Sequence, residues 1–277
     1  MLVKDYFNRR FPQGEIGIEI EVEGKNLDFD AVMESNYWKA VDEGSLRGAG
    51  VEYILRSPVF RKEVYDALNE LYYIYMDEGV APYRSDRTSV HVHVNISNME
   101  ILQMFNAIFL FYAVEKLLLK WCGEDREGNL FCLPSYDAEK ILMIVKQVAK
   151  EQNLHKFYDD IIRYSAMNLK AIPERGSIEF RSMRGTADFS KICHWVKIIT
   201  LIFDYAKTIA TPTDILELFS QRGPENMFLE IFKGEYEELK YPGWEKDVRD
   251  SVRNIQFLIS SQEWRDFEPT IEPFGDV

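Results

Sequence analysis

The sequence predicts an α+β protein: a mostly antiparallel sheet with helices packed on one face, followed by a helical C-terminal part. Three observations predict it. Several short segments alternate apolar and polar residues with a period of two, the pattern of half-buried strands. Longer segments with apolar residues three and four apart separate them, with no regular βαβ rhythm. Beyond residue 187 only helical spacing remains. The length of 277 residues and the 46% hydrophobic content suit a globular chain with a sizeable core. The expected organisation is one catalytic domain over 1–277, its sheet-forming core at about 15–186 and its helical part at about 187–277.

The elements follow in order. A short helix precedes a first strand at about Glu15 to Glu23, whose core Gly17-Ile18-Glu19-Ile20-Glu21-Val22-Glu23 alternates strictly. A glycine-rich loop, Glu43 to Gly50, leads to a second strand, Val51 to Arg56, stopped by Ser57-Pro58. Residues 61–78 carry Val64, Leu68, Leu71 and Ile74 or Tyr75 at helical spacing. A strand is expected from Ser89 to Ile96. Asn98 is the expected cap of a long, very apolar helix reaching about Trp121. Residues 137–165 read as amphipathic helices broken near Gln152-Asn153. A strand runs from Gly176 to Met183, and Gly185-Thr186 ends it. Asp188 is placed to cap a helix through about Ala210. Thr211-Pro212-Thr213-Asp214 is a helix start, with Pro212 at the first helical position.

Composition narrows the function classes. The formal charge is −13 and no basic block is present, which disfavours gripping nucleic-acid phosphates as the main task. The most apolar stretch, Ala107 to Leu119, contains Glu115-Lys116 and is short for a membrane span. Met1-Leu2-Val3-Lys4-Asp5 turns polar at once, so no secretory leader is expected. Three cysteines without a CxxC predict no disulfide framework, and the expected compartment is the reducing cytoplasm. Oligomeric state has no signature in the sequence.

The chemistry lies on the polar faces of the strands. In the first strand Glu19 and Glu21 share a face over Ile18, Ile20 and Val22. In Val90-His91-Val92-His93-Val94-Asn95 the valines take one face and His91, His93 and Asn95 the other. In Gly176-Ser177-Ile178-Glu179-Phe180-Arg181, Glu179 and Arg181 oppose Ile178 and Phe180. Glu52 and Arg56 share a parity on the second strand. Each strand alone would read as the solvated face of an antiparallel sheet. Several such strands, carrying two of the chain's four histidines, point instead to one built site. Carboxylates with one or two imidazoles suit Mg²⁺ or Mn²⁺ rather than zinc. Arginine beside them suits an anionic substrate, and the combination fits phosphoryl transfer from a nucleotide. No Walker loop, GxSxG or dinucleotide fingerprint is present. Cys193 and His194 are sequence neighbours on a helix, so their side chains diverge. The loop at Gly44 to Gly50 serves equally well as a phosphate-site wall or as an ordinary connection.

At these residues the chain resembles the carboxylate–amine ligase superfamily, which includes glutamine synthetase and glutamate–cysteine ligase, and within it the amidoligase family. The matching segments, in order, are Gly17-Ile18-Glu19-Ile20-Glu21, Gly44-Ser45-Leu46 with Val51-Glu52-Tyr53, and His91-Val92-His93-Val94. Arg163-Tyr164 with Asn168-Leu169 follows, and then Gly176-Ser177-Ile178-Glu179-Phe180-Arg181 with Gly185-Thr186. The resemblance implies a curved sheet with helices on its convex face and ATP and divalent ions on its concave one. It implies that Glu19, His91 and Glu179 share a metal bridging nucleotide phosphates, and that Glu21 and Glu52 hold a second metal nearer the acceptor. His93 would touch phosphate, and Arg181 and Arg163 would steady the transferring phosphoryl group. Glu43 stands where the family more often has Asp, and neither Asp42 nor Glu43 is assigned a role.

The implied reaction joins a carboxylate and an amine: ATP phosphorylates the acid, the amine attacks the acyl phosphate, and an amide forms. The substrates expected are an amino acid, a peptide, a cell-wall fragment, a protein side chain or, less in keeping with the acidic charge, an amine on a modified nucleobase. Two other readings remain: a phosphotransferase on the same scaffold, and a non-catalytic nucleotide- or metal-binding protein.

Overall fold

The computed structural model describes residues 1–46, 50–83, 85–123, 126, 128–130 and 132–270. Within them the chain forms an α+β fold around a seven-stranded antiparallel sheet. Helix α1 (Val3–Tyr6) precedes β1 (Ile16–Lys25), β2 (Trp38–Val41) and β3 (Gly50–Leu55). Helix α2 (Val64–Glu78), β4 (Ala81–Pro82), β5 (Ser89–Asn95) and α3 (Ile101–Cys122) follow. Then come α4 (Glu139–Glu151), β6 (Met167–Asn168), α5 (Ala171–Arg175) and β7 (Ser177–Arg184). The C-terminal part is helical: α6 (Phe189–Ala206), α7 (Pro212–Phe232), α8 (Tyr236–Leu239) and α9 (Trp244–Ile259).

The strand order is β2-β3-β1-β5-β7-β6, with β4 pairing with the end of β1. The central pairs therefore bring together β1, β5 and β7, the strands with the strongest alternation. Register follows the pattern: Glu19 lies opposite His91, Glu21 opposite Glu52, and His93 opposite Glu179. A slip of one residue would turn every carboxylate into the core, so the apolar face fixes the polar one. Ile18, Ile20, Val90, Val92, Ile178 and Phe180 form the buried floor, packed with α3 and α6.

Several boundaries depart from expectation. Strands β2, β4 and β6 were not foreseen; they have four, two and two residues, too few to show a period. Glu100, not Asn98, caps α3, through a capping box with Gln103. Asn98 instead accepts a hydrogen bond from Lys4 Nζ. Helix α3 has 22 residues and is long and apolar enough to cross a membrane, but 83% of its most apolar window is buried inside the fold. Asp188 and Thr211 cap α6 and α7 as expected, the first accepting from Lys191 N and the second in a capping box with Asp214. Gln152, with φ +55°, ends α4 at the expected break. Helix α7 kinks at Gly223-Pro224. Of the glycine-rich loop, residues 47–49 lie outside the described residues.

Candidate functional site

On the sheet face away from the helical core, four strands deliver their polar side chains to one place. Among the described residues, two groups of three possible metal donors form there, each with its donor atoms within 4.8 Å of one another: Glu19, His93 and Glu179, and Glu19, Glu52 and His91. Glu19 on the central strand belongs to both. Its Oε2 lies 3.2 Å from His91 Nδ1 and its Oε1 lies 3.3 Å from His93 Nε2. His91 Nδ1 is also 3.5 Å from Glu179 Oε1. His93, expected at phosphate, thus stands among the carboxylates as well.

Electrostatics divide the carboxylates. Burial pushes the Glu19 carboxyl up, but the hydrogen bonds and charge of His91 and His93 outweigh it and hold Glu19 well below the usual range. Burial likewise raises Glu179, and His93, Arg181 and His91 outweigh it, so Glu179 is lowered. Glu52 goes the other way. Burial, then the like charges of Glu19, Glu21 and Glu43, raise it to about 8. Crowded acidic oxygens with one of their number pushed towards neutrality form a site that a hard divalent cation would neutralise, and the two imidazoles are compatible with Mn²⁺ as well as Mg²⁺.

Neighbouring polar groups orient these donors. Ser89 Oγ donates to Glu21 Oε2 at 2.6 Å and lies 2.6 Å from His91 Nε2. A serine has one hydrogen to give; with it spent on Glu21, Ser89 Oγ is placed to accept from His91 Nε2, and Nδ1 is the ring nitrogen turned towards Glu19 and Glu179. Glu21 is therefore held by Ser89, and its Oε1 is 3.9 Å from His91 Nε2. It faces the site without joining either three-donor group. Asn168 Nδ2 donates to Glu179 Oε2 at 2.6 Å, and Arg181 Nη1 donates to Glu179 Oε1 at 2.5 Å. The Glu179 carboxylate raises the already high pKa of Arg181 against the opposing effect of burial.

The structure brings Glu19, Glu21, Glu52, His91, His93, Glu179 and Arg181 together. It places Arg163 on the exposed rim of the same polar cavity, its guanidinium 5.8 Å from the Tyr164 ring centre. Arg56 stands apart from the carboxylates: it lies past β3, donates to the carbonyls of Val32, Met33 and Ser35 and lines the apolar cavity described below. Glu23, on the same strand face as Glu19 and Glu21, is buried.

Arg175 went unnoticed in the sequence. It donates to Glu19 Oε1 at 3.1 Å and lies 3.5 Å from His93 Nε2. The last residue of a five-residue helix carries no periodic signal. Asn168, in the Asn168-Leu169 segment, carries no periodic signal for its contact with Glu179 either.

Two cavities meet at Glu19 and Arg175. One, of about 430 Å³, is polar and contains Glu21, Glu52, Arg87, Arg163, Lys170 and Arg181 in its walls. Glu43 and Ser45 of the glycine-rich loop also line it. The other, of about 300 Å³, has apolar walls from Phe11, Pro12, Ile18, Ile54 and Pro58, with His93 also lining it. Both are within the size range of small-molecule sites.

No curated protein matches the chain. A family model described as "Putative amidoligase enzyme" matches residues 27–202, more than half of the sequence. The match takes in β3, β5, β6 and β7, and β1 with Glu19 and Glu21 precedes it. The match shows that the chain belongs to the amidoligase family, a group of ligase-type enzymes.

Proposed function

We propose that this protein is an ATP-dependent carboxylate–amine ligase of the glutamine synthetase-like superfamily, which makes an amide through an acyl phosphate. The observation that carries the proposal is the convergence of Glu19, Glu52, His91, His93 and Glu179 from four strands, beside Arg181, where an apolar and a polar cavity meet. The apolar cavity takes the nucleoside. The triphosphate runs past His93 and Arg175 towards Glu19 and Glu179. The acid and the amine occupy the polar cavity, where Arg87, Arg163 and Lys170 offer cationic partners for a carboxylate.

Glu19, His91, His93 and Glu179 would hold a Mg²⁺ or Mn²⁺ ion on the phosphate side, and Glu21 and Glu52 a second one on the acceptor side. Bound there, the ions supply charge neutralisation for the phosphates and for the crowded carboxylates. The chain's own groups do the rest. Arg181, fixed by Glu179, stands where charge develops on the transferring phosphoryl group. Arg163 and Arg175 approach from the two sides. The acid's oxygen attacks the γ-phosphorus and ADP leaves; the amine then attacks the acyl carbon, and phosphate and a proton leave. The walls hold the two reactants together and exclude water that would hydrolyse the acyl phosphate. The proposed compartment is the cytoplasm, with no membrane surface required and, given the −13 charge, an amine on a modified nucleobase as the less favoured acceptor.

The test is ATP consumption with panels of acids and amines and Mg²⁺ or Mn²⁺. ADP and free phosphate in equal amounts with an amide support the ligase. A stable phosphorylated product would make the protein a phosphotransferase, and ATP binding without turnover on any pair would make it a binding protein.

A further inference from the structure

The pairing of β5 with β7 is irregular at one place. Val92 lies opposite Phe180, but Val90 lies opposite Met183. One residue of β5, His91, therefore faces two of β7, Arg181 and Ser182, which is a β-bulge. The extra residue resets the alternation, so that Phe180 and Met183 both enter the core while Arg181 keeps to the polar face. A bulge disrupts the hydrogen-bond ladder and leaves backbone groups that need other partners.

Those partners come from outside the sheet. Arg126, in the segment after α3, is buried at 3% exposure. Its Nε donates to Ser182 O at 3.0 Å and its Nη2 to Arg181 O at 2.7 Å. On the other side of the strand Arg181 N donates to Ala166 O at 2.9 Å. The planar fork of one guanidinium thus grips both carbonyls of the bulge, a geometry that an ammonium cannot reproduce. Burying a cation is costly, and here it is buried one residue's backbone away from the arginine that donates to Glu179.

We propose that Arg126 is a positioning residue for Arg181: by holding the two bulge carbonyls it fixes the backbone from which Arg181 reaches Glu179 and the reacting phosphoryl group. The kinetic part of this proposal rests on the ligase reading.

The test uses the whole chain with Arg126→Lys and Arg126→Ala. In both, kcat for ATP consumption falls by about 10- to 100-fold, the scale expected of a displacement of about 1 Å in a catalytic group. KM for ATP changes less than about threefold, because transition-state rather than ground-state contacts are lost. Millimolar guanidinium restores part of the Arg126→Ala rate and none of the Arg126→Lys rate. In an Arg181→Lys background, Arg126→Lys adds less than about a twofold loss, because the two side chains act as one unit. Backbone amide exchange at 181–183 quickens in both variants while β1 and β3 keep their protection.

Unchanged kcat, fully multiplicative losses with Arg181→Lys, or unaltered exchange at 181–183 would overturn the proposal. If the wild-type chain consumes no ATP, it is the ligase reading that fails, and amide exchange alone decides the role of Arg126. If Arg126→Ala does not fold, the Lys variant carries both measurements.

Discussion

Glu52 faces Glu21 across the β1–β3 ladder, and like charges placed directly opposite destabilise a sheet. Burial first, and then the like charges of Glu19, Glu21 and Glu43, raise Glu52 to about 8, and a bound cation would relieve the crowding. Adding Mg²⁺ or Mn²⁺ should therefore raise the unfolding temperature. At 100 times the dissociation constant the gain is about 2.7 kcal/mol, several degrees for a chain of this size. Thermal unfolding with and without chelator checks it, and Glu19→Ala should lose most of the effect. Glu19→Ala and Glu179→Gln should each cut ATP turnover by at least about 100-fold while circular dichroism shows the fold retained. Full activity in both would remove these residues from the site. At this scale the sequence was informative wherever two candidate site residues shared a strand face, as in Glu19 with Glu21, His91 with His93, and Glu179 with Arg181. It was silent on Arg175 and Ser89, whose roles depend on which neighbour lies across a strand.

Among the elements, the turn between α5 and β7 is the most demanding. Gly176 has φ +68°, and a Cβ there would fall 2.5 Å from the Phe11 ring. Gly176→Ala should destabilise the fold by about 2–4 kcal/mol, combining left-handed strain with overpacking, as read from urea midpoints. It should also lower turnover, since Arg175 and Ser177 flank it and Ser177 Oγ lies 3.2 Å from His93 Nδ1. Strands β1, β3, β5 and β7 could be read from alternation. The three short strands could not, and the bulge in β7 was hidden because Ser182 and Met183 are both buried and blur the period. The helix caps at Asp188 and Thr211 were legible because capping is a local interaction. Asn98 misled because a better box, Glu100 with Gln103, begins two residues later.

Over the whole molecule, one buried cluster runs from Val3 to Phe267 and joins the apolar face of the sheet to the C-terminal helices. Inside it lies Glu115 on α3, an acid far from any strand pattern. Ser135 N and Oγ donate to its carboxylate, yet burial outweighs these bonds and raises it from 4.5 to about 8. A carboxyl raised on folding contributes stability that is full below its unfolded value and is lost as pH rises through its folded value. Glu19 and Glu179, both lowered, contribute stability above about 4.5 and lose it as pH falls. The cation-free protein should thus be most stable in mildly acidic solution and weaken towards pH 9. Glu115→Gln should flatten the fall between about pH 4.5 and about pH 8, leaving the part that belongs to Glu52. Urea midpoints across pH check this, and an equally steep fall in the variant would refute it.

By itself the sequence determined the fold class, the central strands, which face of each is polar, and which carboxylates and imidazoles those faces carry, because alternation and capping are local and repeat along the chain. The tertiary structure alone decided how they combine. It set the strand order that makes Glu19 the shared member of two donor groups, and it placed Glu21 with Ser89 and Arg175 at the junction of two cavities. It also brought Arg126 onto the bulge beneath Arg181. Each of these is a contact between residues far apart in the chain, fixed by strand register and core packing, which no local pattern encodes.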